Sequence, residues 1–201
     1  MRRVTTLSLL FLLIASAAGA FEWQTVAQRV QRSLVSLQDR NGNIYCTGFV
    51  IDDSKDFVMT AQHCTAHNEG IIVDRVNAWV IWSDVDADIA VLHVPGVQRV
   101  ELRPGKQPAP GQEIAAFGFG YGLKGSGMFR SGEVSGLEVV LEGLPGKWLI
   151  TNFALIPGMS GGPMVDSDGR VLSINQRGND VIGLGRSIDD IIALTRSFWR
   201  Y

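Results

Sequence analysis

The sequence has only two cysteines, three histidines and seven prolines in 201 residues. Two cysteines exclude a disulfide-dense scaffold, and three histidines limit histidine-based catalysis or metal binding to a few positions. Charge is also scarce, since 19% of residues are charged, the net charge is −2 and lysine and arginine form no cluster. The electrostatic footprint of a nucleic-acid-binding protein is therefore missing, and we expect no nucleic acid partner.

Long apolar runs are missing from the chain after its first residues. Arg2-Arg3 precedes the apolar stretch Leu7–Ala15, which is too short to span a bilayer, and Ala18-Gly19-Ala20 has the form of a cleavage site. Residues 1–20 are therefore predicted to be a secretory signal peptide, with an uncleaved membrane anchor as the alternative. We expect Phe21 to begin a secreted or periplasmic protein that no longer associates with a membrane after cleavage.

The rest of the chain predicts one globular, all-β domain with a sizeable core, because 46% of the residues are hydrophobic. Short runs of alternating apolar residues are separated by residues typical of turns, as in β-sandwiches and barrels. The predicted strands are Leu34–Gln38, Ile44–Ile51, Phe57–Thr60, Ile71–Val73, Ala78–Trp82, Asp88–Val94, Glu113–Phe117, Gly132–Ser135, Val139–Leu141, Trp148–Thr151, Met164–Val165, Val171–Asn175 and Val181–Leu184.

Two short helices are predicted near the ends of this domain. Trp23, Val26 and Val30 share one face of the first helix. The second helix is predicted to start with a capping box formed by Ser187 and Asp190. A proline-bearing connection around residues 103–111 separates the two halves of the domain.

The strongest chemical signal is Pro157-Gly158-Met159-Ser160-Gly161-Gly162-Pro163. Glycines around Ser160 let its hydroxyl sit on a sharp turn beside bare backbone N–H groups, although a glycine-rich β-turn has the same composition. The motif also fits the α/β-hydrolase elbow, whose histidine follows the serine. Here His63, His67 and His93 all precede Ser160, so the order histidine, aspartate, serine indicates the chymotrypsin-like arrangement.

The two cysteines have two interpretations. In an oxidising compartment Cys46 and Cys64 can pair and cross-link two predicted strands. Alternatively, Cys46, His63, Cys64 and His67 supply a Cys2His2 set for zinc, although the adjacent ligands at 63 and 64 fit zinc-finger spacings poorly.

Four sequence blocks resemble the chymotrypsin-like serine peptidases, namely Thr47–Ile51, Met59–Cys64, Asp88–Leu92 and Gly158–Pro163. The second half is similar to the HtrA-type bacterial peptidases in the stretches Phe119–Gly122, Ser131–Ser135, Thr151–Pro163 and Asp168–Asn175. The resemblance implies two perpendicular six-stranded β-barrels, at about residues 33–103 and 111–186, with the active site between them. It implies an exported serine endopeptidase that works through an acyl-enzyme, with no metal or cofactor.

The resemblance also assigns roles to individual residues. Ser160 would be the nucleophile, His63 the general base and then acid, and Asp88 the carboxylate that orients the imidazole. The N–H groups of Gly158 and Ser160 would form the oxyanion hole. Asp84, Asp86 and Asp88 alternate and would share one face of an extended strand, so periodicity does not separate them. The resemblance selects Asp88, because the acid of the family directly precedes an Ile-Ala or Leu-Ala pair.

The substrate pocket follows from the same resemblance. Ala154, six residues before the serine, would lie at the base of the pocket and favour a small or medium apolar side chain. The backbone of Ser173, Ile174 and Asn175 would pair with an extended, locally unfolded peptide as an added strand.

The chain also departs from the HtrA pattern. Met159 and Ile156 stand where these enzymes commonly carry asparagine. We expect no peptide-binding (PDZ) module after Tyr201. Met159 also replaces the aspartate that a newly cut N-terminus pairs with in digestive enzymes, so no such zymogen is expected. Two other functions remain open, a catalytically silent protein that binds peptides or acts as a scaffold, and an esterase-like hydrolase using the same triad.

Overall fold

The computed structural model describes residues 23–66 and 70–200. The predicted signal peptide, Phe21 and His67 lie outside these residues. Within the two ranges, no helix is long and apolar enough to cross a membrane.

The first half of the described chain forms a closed, antiparallel six-stranded barrel, with strand order β1-β2-β3-β6-β5-β4. It closes where β1 pairs with β4, through Leu37 opposite Val73. The strands are β1 Leu34–Gln38, β2 Ile44–Asp52, β3 Phe57–Thr60, β4 Ile71–Val73, β5 Val76–Asp84 and β6 Ile89–His93.

The second half forms another closed, antiparallel six-stranded barrel, with strand order β10-β11-β12-β9-β8-β7. It closes where β10 pairs with β7, through Met164 opposite Ala116. The strands are β7 Glu113–Gly118, β8 Met128–Leu141, β9 Leu144–Thr151, β10 Pro163–Val165, β11 Val171–Gly178 and β12 Gly183–Ser187. The prediction of an all-β fold with two six-stranded barrels is confirmed.

Three of the strand predictions need correction. Gly132–Ser135 and Val139–Leu141 belong to the single strand β8, in which irregular pairing with β9 and the left-handed Glu138 (φ 53°) interrupt the alternation. The last strand begins at Gly183 rather than at Val181, because Asn179 Oδ1 accepts hydrogen bonds from the N–H groups of residues 181 and 182 and forms a turn there.

Helices flank the barrels at both ends. Residues 23–31 form α1, whose Val26 and Val30 are buried, and Ile188–Thr195 forms α2. The predicted capping box is wrong: Ser187 is the last residue of β12 and its Oγ donates to Gln107 Oε1, 3.1 Å away, instead of capping α2. After α2 the chain continues to Trp199, which is buried against Phe49 of the first barrel.

The apolar core holds the two barrels together. One buried cluster draws Phe49 from β2, Phe117 from β7, Val30 from α1 and Ile191 from α2. A second cluster belongs to the first barrel alone and a third to the second barrel alone. Because the central cluster spans both barrels, side chains on facing loops are held at fixed relative positions, which a composite active site requires.

A disulfide joins Cys46 on β2 to Cys64, in the 3-10 turn Gln62–Thr65 that follows β3. The predicted pairing is confirmed. Since the bond uses both sulfurs, the zinc alternative would require the reduced protein. The bond ties the turn that carries His63 directly to β2.

Removing this disulfide should destabilise the fold measurably. The bond closes a loop with a sequence separation of 18 residues. We expect the double variant Cys46→Ala/Cys64→Ala to lose about 3 kcal/mol of unfolding free energy, since its denatured chain is less restricted. Urea unfolding of the variant and of reduced wild type should give matching midpoints below that of the oxidised protein. Coincident midpoints for all three would refute a stabilising role.

Candidate active site

His63 and Asp88 form the most directly bonded pair of the site. His63 Nδ1 lies 2.8 Å from Asp88 Oδ2 and 3.1 Å from Oδ1, and the His63 backbone N–H donates to Oδ1 at 2.9 Å. The carboxylate is nearly buried, whereas 43% of the His63 side chain is exposed. Because the carboxylate accepts a hydrogen bond from Nδ1, the ring proton is held on Nδ1, and Nε2 is left as the basic nitrogen on the open side of the ring.

The carboxylate is presented by a tight turn after β5. Asp84 Oδ1 accepts from the Ala87 N–H at 2.7 Å, and Asp88 adopts a left-handed backbone with φ 54°. The interpretation that Asp84, Asp86 and Asp88 share a face of an extended strand is therefore wrong. Of the three, Asp88 alone bonds to His63 in the described chain. Its left-handed backbone costs about 1–2 kcal/mol, so surrounding contacts must hold it in place.

Ser160 lies on a turn that packs against the first barrel. Its carbonyl oxygen accepts from the Thr47 N–H at 2.8 Å and lies 3.7 Å from Cys64 Sγ, next in sequence to His63. Gly158 and Gly161 flank it with φ of 92° and 82°. The structure thus brings Ser160 beside the His63 turn, but no hydrogen bond joins its hydroxyl to His63 in the described chain. Such bonds are often loose in the free enzyme.

Thr47 holds the serine turn, a role that sequence reasoning missed. It is fully buried, and its Oγ1 donates to the Gly158 carbonyl at 2.7 Å and accepts from the Phe119 N–H at 2.9 Å. Its own carbonyl accepts from Thr60 Oγ1 at 2.8 Å. The available signal was a threonine beside a glycine and a cysteine in an otherwise apolar strand.

The backbone N–H groups of Gly158 and Ser160 donate to no other group of the described chain. The Pro157 carbonyl accepts from the Tyr121 N–H at 2.6 Å, and the Ile156 carbonyl accepts from the Met159 N–H at 3.1 Å. Because the C=O and N–H of one peptide unit point in opposite directions, the Tyr121 contact turns the Gly158 N–H away from Tyr121. Met159 and Ile156, the two departures from the family pattern, are buried in the apolar core of the second barrel.

A cleft of about 430 Å³ opens beside the serine. Its wall carries both apolar and polar groups. The lining residues are Leu155, Ile156, Pro157, Ser160, Asn175, Gln176, Arg177 and Gly178.

The predicted substrate pocket needs correction in part. Asn175 lines the cleft, but Ala154 is buried outside this lining. Ser173 and Ile174 are also buried, and their strand is paired on both sides, with Met164 and Pro163 on β10 and with β12.

Asn175 is bonded to the serine turn, since its N–H donates to the Gly162 carbonyl at 2.8 Å and its carbonyl accepts from the Gly161 N–H at 2.7 Å. Ser173, Ile174 and Asn175 therefore have no open edge for a peptide. The open edge of β11 runs from Gln176 to Gly178. Arg177 and Gly178 pair with β12 alone, and Gln176 lies at an irregularity where it pairs with neither neighbouring strand.

A family model described as "Trypsin-like peptidase domain" matches residues 46–174, more than half of the chain. The chain belongs to the trypsin-like peptidases. The matched range contains His63, Asp88 and Ser160.

Curated relatives of this peptidase domain are HtrA- and Do-type proteases. The chain is 29% identical over 160 residues to a probable periplasmic serine endoprotease DegP-like from Halomonas elongata, covering 74% of this chain and 33% of that protein. Identity is 31% over 164 residues, with the same coverage, to the DegP-like protein of Pseudomonas fulva. The chain is 29% identical over 141 residues to the serine protease Do-like HtrB of Bacillus subtilis, covering 63% of this chain and 31% of that protein. The chain thus spans about a third of the length of these relatives.

Solved structures share the peptidase fold. The HtrA-type protease AlgW, solved with a decapeptide, superposes with a TM-score of 0.77 at 20% identity, covering 88% of this chain and 67% of that one. The active form of the Rv3671c protease from M. tuberculosis superposes with a TM-score of 0.73 at 22% identity, covering 86% and 83%. At these identities the likeness establishes the fold.

Thr47→Val should weaken both stability and the serine turn. The change keeps the shape of the side chain but leaves the buried Gly158 carbonyl and Phe119 N–H without their partner. We expect a loss of about 1–3 kcal/mol in unfolding free energy, measured by urea denaturation. The matched change Thr65→Val removes one partly exposed bond to the Gln62 carbonyl and should have a smaller effect. Equal losses in the two variants would contradict the assigned role of Thr47.

Proposed function

We propose that the protein is an exported serine endopeptidase that cleaves extended polypeptides through Ser160, His63 and Asp88. One observation carries this proposal. The Asp88 carboxylate accepts hydrogen bonds from both the ring and the backbone N–H of His63, directly beside the turn of Ser160. A carboxylate at Nδ1 holds the ring orientation and the tautomer that leave Nε2 free to take a proton, which is the arrangement that a general base needs.

The chemistry follows the two-step course of acyl transfer. Ser160 Oγ attacks the carbonyl carbon of the scissile peptide while His63 Nε2 takes the hydroxyl proton. The tetrahedral intermediate then collapses: the C–N bond breaks, and the imidazolium gives its proton to the leaving amine. Water, deprotonated by His63, attacks the acyl-enzyme ester, and the collapse of the second intermediate returns the proton to Ser160.

The free N–H groups of Gly158 and Ser160 are the donors for the negative oxygen in both steps. The contact between the Pro157 carbonyl and the Tyr121 N–H supports a formed oxyanion hole despite Met159 and Ile156. Gly158 also has a structural need to be glycine, because a Cβ there would collide with the backbone of Phe119. Losing one such donor typically costs about 3–4 kcal/mol of transition-state stabilisation.

The substrate is proposed to be an unfolded or locally extended polypeptide. The open edge of β11 at Gln176, Arg177 and Gly178 can accept a peptide as an added strand. Leu155 and Ile156 line the adjoining cleft, which suits a small or medium apolar side chain. The likeness to AlgW, a protease solved with a decapeptide, supports a peptide ligand.

Export is supported by three independent features. The first 20 residues have the pattern of a signal peptide, Cys46 and Cys64 are disulfide-bonded, and two relatives are named as periplasmic. Disulfides persist in oxidising compartments. Together the three features support a secreted or periplasmic location.

A catalytically silent peptide-binding protein is the second candidate. The specific observation in its favour is that no hydrogen bond joins the Ser160 hydroxyl to His63 in the described chain. The same cleft and strand edge would then bind a peptide without cleaving it.

Labelling by a fluorophosphonate separates the two functions. This reagent reacts with serines that a base activates, so the oxidised mature protein should gain one adduct by intact mass, at Ser160. Ser160→Ala should gain none, whereas Ser126→Ala, a change in an exposed loop, should be labelled like wild type. A folded, oxidised wild type that stays unlabelled would reject the peptidase and favour the silent protein.

A further inference from the structure

The segment that carries the catalytic acid is held by the other barrel. This segment, Asp84–Asp88, is called the acid loop and connects β5 to β6 of the first barrel. From β11 of the second barrel, Gln176 Nε2 donates to the carbonyls of Ala87 and Asp88 at 2.7 and 2.8 Å. From β12, Arg186 Nη2 donates to the Asp86 carbonyl at 2.7 Å and its Nε to the Ala87 carbonyl at 3.3 Å.

Arg186 is built into a closed setting. It is only 3% exposed, and its guanidinium lies over the Trp148 ring at 4.8 Å from the centroid. Two further donations reach the carbonyls of Pro145 and Lys147 at 3.2 and 3.4 Å. Gly146 between them leaves the space for the guanidinium, since a Cβ at that position would collide with Nη1.

The partners of this cation are unusual. Four backbone carbonyls bind the guanidinium, and it forms no salt bridge with a carboxylate in the described chain. Burial lowers the pKa of Arg186, while the charges of Asp190, Asp88, Asp84 and Asp86 act in the opposite direction. A contribution to stability does not by itself explain why a charged side chain is buried here, because apolar side chains of similar volume are often as stabilising in such positions. The fork of donors, however, suits a loop that must be fixed at several carbonyls at once.

We propose that Arg186 is a positioning residue for Asp88, clamping the acid loop from the second barrel so that the carboxylate stays aligned with His63. The proposal rests on the proposed peptidase function. Asp88 needs such a clamp because its left-handed backbone is unfavourable and the acid loop belongs to the opposite barrel. Without Arg186, the loop would keep only the Gln176 side chain among these contacts to the second barrel, and the His63 ring would lose its fixed orientation.

The fluorophosphonate labelling rate of Ser160 tests this role. Arg186→Gln is expected to slow labelling at least about tenfold, since small displacements of catalytic groups have effects of this size or larger. Arg186→Lys keeps the charge but loses the fork of donors, so its labelling rate should fall between those of wild type and Arg186→Gln. The control Arg99→Gln breaks an exposed ion pair with Asp74 and should be labelled like wild type.

A double-mutant cycle with Asp88→Asn distinguishes positioning from a general loss of stability. If Arg186 acts through Asp88, Arg186→Gln should slow labelling hardly further once Asp88 is already asparagine. An equal slowing in both backgrounds would overturn the proposal, and so would a wild-type rate in Arg186→Gln. Should that variant not fold, a wild-type rate in Arg186→Lys would overturn it as well.

Proton NMR provides a readout that needs no activity. The proton on His63 Nδ1, shared with Asp88, should give a low-field resonance in wild type and in Arg99→Gln. This resonance should shift or disappear in folded Arg186→Gln; an unchanged resonance overturns the clamp. If wild type is not labelled at all, the peptidase function fails while this spectrum still decides the role of Arg186.

Discussion

The contact on which the site depends most is the hydrogen bond from the Thr47 N–H to the Ser160 carbonyl. Thr47 is next in sequence to Cys46, and Cys64 is next to His63, so this bond and the disulfide bring the Ser160 turn and the His63 turn together. Ser160, the proposed nucleophile, belongs to the second barrel, and His63, the proposed base, belongs to the first. Neither barrel alone contains the proposed triad, and the proposed chemistry therefore depends on how firmly the two barrels are joined.

Two kinds of force make that junction rigid. The apolar cluster shared by Phe49 and Phe117 excludes water from the space between the barrels. Within that dry setting, the hydroxyl of Thr47 and the amide of Gln176 bind backbone groups of the opposite barrel. Each such bond contributes only about 1 kcal/mol net, but breaking one leaves a buried group unsatisfied, which costs more. Left-handed residues such as Asp88 and glycines such as Gly158 are tolerated because these contacts hold them.

The sequence permitted the fold and much of the site to be predicted, for reasons that differ among residues. Alternating apolar runs locate most strands, since burial of one face is a local property. Ser160 was singled out by the glycines around it, and His63 by the family resemblance, since all three histidines precede the serine. Asp88 required the family resemblance, because periodicity assumes an extended strand and the chain turns sharply there. The strand prediction in β8 was wrong for a similar reason, because the left-handed backbone of Glu138 interrupts the alternation that periodicity assumes.

Features that depend on distant partners were not predictable. Whether Ser173 or Gln176 offers an open edge is decided by where β10 stops pairing with β11, which no local pattern encodes. Thr47, Gln176 and Arg186 resemble ordinary polar residues of strands until the second barrel is placed against the first. Their carbonyl and amide partners belong to the backbone, which carries no side-chain signature in the sequence.

The central claim is that contacts between the barrels assemble a preformed acyl-transfer site. A crystal structure of the mature protein treated with a peptidyl boronate tests it most directly. The account predicts a covalent bond from Ser160 Oγ to boron, one boronate oxygen within hydrogen-bonding distance of the N–H groups of Gly158 and Ser160, and His63 still bonded to Asp88. The peptide should pair with Gln176–Gly178. A boronate oxygen turned to solvent, or a Gly158 peptide that must flip to receive it, would contradict the account.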